Sequence, residues 1–72
     1  MAWHNGKKVT ALWANHERSN AWGYIDGAWR KFEDDHDDAC TNFAILCAHA
    51  KAGNRNVNAR IESNRLKEIY VW

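Results

Sequence analysis

Residues 20–32 read NAWGYIDGAWRKF, and how this stretch is read decides the fold. Asp26-Gly27 is a dipeptide suited to a two-residue hairpin turn, and the segments on either side are rich in strand formers. A tight turn there sets Ile25 opposite Ala28, Tyr24 opposite Trp29 and Trp22 opposite Lys31. Directly opposed residues share a face, so Trp22, Tyr24 and Trp29 form one aromatic cluster with Lys31 beside it.

Working back from this hairpin, KKVTALWA (7–14) reads as the preceding strand, joined to it by the polar loop NHERSN. A five-residue loop at 15–19 adds Thr10 and Leu12 to the aromatic face. The other face then collects Val9, Ala11, Trp13, Ala21, Gly23, Ile25 and Phe32. The small Ala11, Ala21 and Gly23 make this second face the one a helix can approach closely. Asn5-Gly6 is a further turn dipeptide, with residues 2–4 as a short strand ahead of it.

Working forward, Ala39, Cys40, Phe43, Leu46, Cys47 and Ala50 recur at three- and four-residue steps, which predicts a helix over 38–52. Asp37 or Asp38 suits its N-terminal cap and Gly53 its left-handed C-terminal position. The closing hairpin has two candidate registers. A two-residue turn at Ser63-Asn64 mixes the two faces. A three-residue loop, Ser63-Asn64-Arg65, sets Val57 opposite Val71, Ala59 opposite Ile69 and Arg60 opposite Glu68. Because register follows the buried face, the second is preferred: Val57, Ala59, Ile61, Ile69 and Val71 point inward, and Asn56, Asn58, Arg60, Tyr70 and Trp72 outward.

The expectation is therefore one domain over 1–72, mostly β with one helix in the order β-β-β-α-β-β. That is the order of the OB-fold, a small five-stranded barrel. The segment NFAILCAHAKAGNRNVNARIE (42–62) places Ala-Lys-Ala-Gly at a helix end and an alternating strand shortly after. In this it resembles the second half of the B subunits of AB5 bacterial toxins, over residues 8–72 in topology and about 42–61 in residue pattern. The resemblance implies a secreted OB barrel that assembles into a ring of about five copies and binds glycans. The chain departs from those toxins in its shorter loops, in the lack of an intrachain disulfide and of an opening signal-peptide pattern, and in offering no glycan-contact residue that matches by position.

Composition narrows the function classes. With 72 residues, 46% apolar and 26% charged, the chain is globular in character but small, and small domains gain stability from disulfides, metals or self-association. Cys40 and Cys47 lie seven residues apart on one helix, about 10 Å by helical rise, beyond disulfide reach. Free thiols favour a reducing, cytoplasmic compartment. The net charge is +1, not the basic excess of a phosphate-binding surface. No stretch has the length of apolar sequence that membrane insertion requires.

EDDHDD (33–38) lacks the glycine and terminal glutamate of an EF-hand loop and reads as a solvated acidic turn, so no metal or other cofactor is expected. The histidines are scattered, His16 lying in a loop where ligand contacts often occur, and no catalytic pairing is suggested by spacing; the chain reads as a non-enzyme. The candidate binding residues, for ligand or subunit contact, are Trp22, Tyr24, Trp29, Lys31 and His16 on one side and Asn56, Asn58, Tyr70 and Trp72 on the other. Rings beside amides suit a carbohydrate, and self-association is the leading expectation for the rings of 20–32. The alternatives are a single-stranded nucleic-acid binder stacking bases on Trp22, Tyr24 and Trp29 with Lys31, Arg18 and Arg60 on phosphates, and a purely structural self-assembling protein.

Overall fold

The structure is a computed structural model that describes residues 2–35 and 37–72. Six strands and one helix follow in the order β1 (Ala2–Lys7), β2 (Val9–Ala14), β3 (Ala21–Ile25), β4 (Ala28–Phe32), α1 (Asp37–Ala52), β5 (Val57–Glu62) and β6 (Arg65–Val71). All six strands belong to one sheet of order β1-β5-β6-β4-β3-β2. The mostly-β class with one helix is as expected, but the sheet has six strands and its hydrogen bonding does not close it into a five-stranded barrel.

The extra strand comes from the N-terminus. Asn5-Gly6 does not turn the chain: Gly6 (φ 67°) sits inside β1 at a bulge, where the pairing with β5 shifts between His4 and Lys7. The Asn58 side-chain carbonyl accepts the Gly6 N–H at 2.9 Å. A left-handed glycine suits a bulge as well as a turn, and the partner's amide decides between them here. Lys8 alone then joins β1 to β2, although the two lie at opposite ends of the sheet order. Six flat strands would hold their outer members about 24 Å apart, whereas one linking residue spans about 7 Å. The sheet is therefore strongly curled.

The core lies inside this curl. Val9, Ala21, Ile25, Phe32, Val57, Ala59, Ile61, Leu66 and Ile69 from the sheet pack with Cys40, Cys47 and Ala50 of the helix. Phe32 is its largest fully buried side chain and meets Phe43 edge-on, centroids 6.2 Å apart. A Cβ on Gly23 would lie 3.0 Å from the Phe32 ring. Gly23 thus makes room for a ring of the neighbouring strand, not for the helix as expected.

The helix stripe is as read from sequence, except that Leu46 is 40% exposed at its border. Burial pushes the Cys47 thiol up to about 12, so it stays protonated; Cys40 and Cys47 form no disulfide. The C-terminal left-handed position belongs to Asn54 (φ 51°), not Gly53. The Asn54 N–H donates to the Lys51 carbonyl and the Arg55 N–H to that of Ala50, a Schellman closure. Of the two residues expected to cap the N-terminus, Asp37 has a side chain outside those described, and Asp38 lies inside the helix, past the cap position.

The closing hairpin combines both candidate registers. Ser63 (φ 50°) and Asn64 (φ 61°) make a two-residue left-handed turn with Glu62 opposite Arg65. Val57 nevertheless faces Val71, Ala59 faces Ile69 and Arg60 faces Glu68, because the register shifts between Arg60 and Ile61, where Lys67 is passed over. The odd residue sits in a bulge and not in the loop, and Leu66 is thereby turned fully inward. Asn64 then docks this turn onto β4. Its side chain donates to the Trp29 carbonyl and accepts from Arg30, and its own carbonyl accepts the Lys31 N–H.

Candidate functional site

The hairpin of β3 and β4 has the expected register: Trp22 opposite Lys31, Tyr24 opposite Trp29, Ile25 opposite Ala28. Its turn residues Asp26 (φ 54°) and Gly27 (φ 83°) are both left-handed, as the favoured hairpin turn demands. The neighbouring strand differs from expectation. Val9 pairs with Ile25 but Ala11 pairs with Tyr24, so Thr10 is an extra residue in β2. A one-residue slip moves every later side chain to the other face. Ala11 and Trp13 therefore join the aromatic face, Trp13 directly opposite Trp22, while Leu12 turns to the helix side opposite Gly23. Both faces of β2 are corrected beyond this point.

The result is an open cleft of about 530 Å³ lined by Trp13, Trp22, Trp29 and Asn20. Trp13 is 48% and Trp29 40% exposed, with Trp22 half-buried between them. The site is held by its own loop. The Asn15 side chain accepts the Glu17 N–H, and Asn20 donates to Asn15 and Glu17. The Asn20 side-chain carbonyl in turn accepts the Trp22 indole N–H at 2.9 Å, fixing the floor ring. Tyr24 meets Trp29 edge-on at 5.4 Å and donates its hydroxyl to the Gly27 carbonyl, bracing one wall. The indole N–H groups of Trp13 and Trp29 have no hydrogen-bond partner among the described residues.

Lys31 lies 5.9 Å from the centre of the Trp22 ring, within cation–π range, and its ammonium pairs with Asp34 at 3.0 Å. His16 is exposed on the loop and is not among the residues lining the cleft. Asn20 and Trp13 were missing from the candidate residues: the first because a loop amide carries no distinguishing pattern, the second because nothing in VTALWA marks a bulge.

The second candidate group lies on β1, β5 and β6. Tyr70 stacks on Trp3, centroids 5.7 Å apart and planes within 8°, and Trp72 leans on Tyr70. Trp3 also went unrecognised, since its strand pairs with residues almost sixty positions away. Asn58 is committed to Gly6, and Asn56 contributes its backbone carbonyl to the Trp72 N–H. Arg60 is held between Glu62 and Glu68 at 2.7 and 2.9 Å. This strip is an aromatic surface on the same strands as a mutually paired charge cluster, Arg60 with Glu62 and Glu68.

The acidic turn is not simply solvated. Glu33 pairs with Lys67, and Asp34 with Arg65 and Lys31. Glu33, Asp34 and Asp35 approach one another closely enough to share an ion, but the first two already neutralise cations. Asp26 binds His4 and Lys7 at the opposite end of the hairpin. Hydrogen bonds from His4 and then Lys7 hold the Asp26 carboxyl below the usual carboxylate range, and those from Arg65 and then Lys31 do the same for Asp34. A lowered carboxylate contributes stability that is present above its unfolded value and is lost as pH falls through its folded value. Denaturant melts recorded at decreasing pH should therefore show stability falling below about pH 4. The double substitution Asp26→Asn, Asp34→Asn should flatten that acid limb; an unchanged limb would refute the assignment.

Comparison with known protein families, curated proteins and solved structures finds no match to this chain.

Proposed function

We propose that this protein is a non-enzymatic binding module that takes an uncharged carbohydrate in the cleft of Trp13, Trp22 and Trp29. The cleft itself carries the reading: three indole faces with two unengaged indole N–H groups at one open site. A pyranose has apolar C–H faces that stack on rings and hydroxyl edges that accept such donors. The nucleic-acid alternative is less well supported, because Lys31, which does lie over the Trp22 ring, is paired with Asp34, and Arg60 lies on β5 between two glutamates. The strand order lends support to an OB-like reading of the fold if β1 and β2 are counted as one bent strand, and with it to the likeness to toxin B subunits. That likeness implies a ring of about five copies; self-association as such, without that copy number, belongs to the same proposal.

A glycan array followed by calorimetry tests the reading. Trp29→Ala should weaken the best ligand by about 2 kcal/mol, roughly thirtyfold, as expected for a central aromatic contact. Trp72→Ala should leave affinity unchanged. Absence of any glycan bound above background, or equal losses from the two substitutions, would refute it.

A further inference from the structure

The two outer strands of the sheet differ in how they meet solvent. Both carry a bulge, at Gly6 in β1 and at Thr10 in β2, but β1, AWHNGK, also carries a histidine and a lysine, side chains that discourage a neighbouring strand. β2, VTALWA, has no charge and no proline, and its outer side pairs with no strand among the described residues. Thr10, Leu12, Trp13 and Ala14 are exposed. Beside the end of β2, a groove of about 460 Å³ lies between the helix residues Ala44, Ala48 and the 63%-exposed Ile45 on one side and the polar loop with Glu17 and Arg18 on the other. An uncharged edge strand with apolar surface on both of its faces is a template for another strand.

We infer that the occupant is a second copy of the same strand, paired antiparallel about a two-fold axis at Leu12. Two-fold pairing requires the numbers of opposed residues to have a constant sum, and an even sum sets outward-pointing backbone groups against one another. With Leu12 on Leu12, Ala11 faces Trp13 of the second copy and Thr10 faces its Ala14. The largest side chain meets one of the smallest, on the face where Trp13 lies. On the other face the two Leu12 side chains meet near Ala44 of the helix. Covering Leu12, Trp13, Ile45 and the strand backbone removes on the order of 500 Å² per copy, enough for the lower range of specific interfaces.

Pairing would make one sheet of β4-β3-β2 from each copy, with the six tryptophans of two clefts along one face. Resting on the carbohydrate reading above, this track suits an extended oligosaccharide better than a single sugar. A two-fold contact closes at two copies, so this edge by itself yields a dimer and not a ring of five.

Light scattering on the intact chain should give twice the 8.4 kDa chain mass, and Leu12→Lys, which sets like charges opposite each other, should give a folded monomer. Opposed Cα atoms in an antiparallel pair lie about 4.5–5.5 Å apart, within disulfide reach. Leu12→Cys should therefore cross-link copies on oxidation while Thr10→Cys does not; the buried native cysteines stay silent in both. A wild-type monomer at high micromolar concentration, a dimer untouched by Leu12→Lys, or cross-linking at position 10 but not 12 would each overturn the pairing. If Leu12→Lys does not fold, the cysteine pair decides alone. For the track, β-1,4-linked glucose oligomers of two and six units serve as probes. The wild type should favour the longer one, and Leu12→Lys should not. Equal affinities in the wild type would overturn the joined track. If neither oligomer binds and the glycan array is also blank, the carbohydrate reading falls and the cross-linking result still decides the pairing.

Discussion

Phe32→Ala is expected to leave the chain unfolded at room temperature. Phe32 is 1% exposed, lies against the bare backbone of Gly23, and meets Phe43 of the helix. It thus ties β3, β4 and α1 together at one point. Removing such a ring costs about 3–5 kcal/mol in transfer and cavity terms, and a core in a domain of this size supplies little more than that. Circular dichroism and tryptophan emission of the purified variant should both be those of an unfolded chain; a cooperative thermal transition within a few degrees of the wild type would contradict this placement. Gly23→Ala acts on the same contact from the other side and should destabilise less, because the ring can shift by tenths of an ångström.

Asn64→Ala is the second large expected effect. Asn64 holds a left-handed φ of 61°, which costs an ordinary side chain roughly 1–2 kcal/mol. Its side chain donates to the Trp29 carbonyl at 2.9 Å and accepts from Arg30 at 2.8 Å, each bond contributing about 1 kcal/mol net. The sum is about 3 kcal/mol, and for a domain this small each kcal/mol lowers the melting temperature by about 4–8 °C. Asn64→Gly separates the parts: it keeps the backbone conformation and loses only the hydrogen bonds, so its melting temperature should fall between wild type and Asn64→Ala. Equal losses for both would show that the backbone conformation costs nothing here. Since Arg30 also donates to the carbonyls of Ile25 and Asp26, the same variant loosens the turn beside the cleft, and ligand affinity should drop with stability.

What was legible in the sequence was local. Asp26-Gly27 gave the turn and hence the facing of Trp22, Tyr24 and Trp29. The three-four periodicity of Ala39 to Ala50 gave the helix, and the alternation in VNARIE gave the inward residues of β5. What escaped was wherever one residue too many had to be absorbed. At Thr10, at Lys67 and at Gly6 the chain uses a bulge, and a bulge leaves no compositional mark: VTALWA reads equally well as an unbroken strand. Two of these slips rearrange the aromatic surfaces. Thr10 moved Trp13 from the presumed core side into the cleft, and Gly6 converted a supposed turn into the run that brings Trp3 under Tyr70. Long-range pairing was likewise out of reach, because no local pattern distinguishes β5 from β2 as the partner of residues 2–7.

That pairing sets the order in which the molecule can be completed. β2, β3 and β4 are consecutive in the chain and pair with their sequence neighbours, so they close small loops at little entropic cost. Ala2, by contrast, faces Ile61 and has nothing to pair with until nearly the whole chain exists. During synthesis β1 is thus made well before the strand it pairs with and finds its place after it. Contacts of such sequence separation are the slow ones in folding. Until they form, β5 is the bare edge of the growing sheet. A fusion placed ahead of Ala2 acts directly on this last step, whereas one placed after Trp72 acts on a chain end already fixed by its own hairpin.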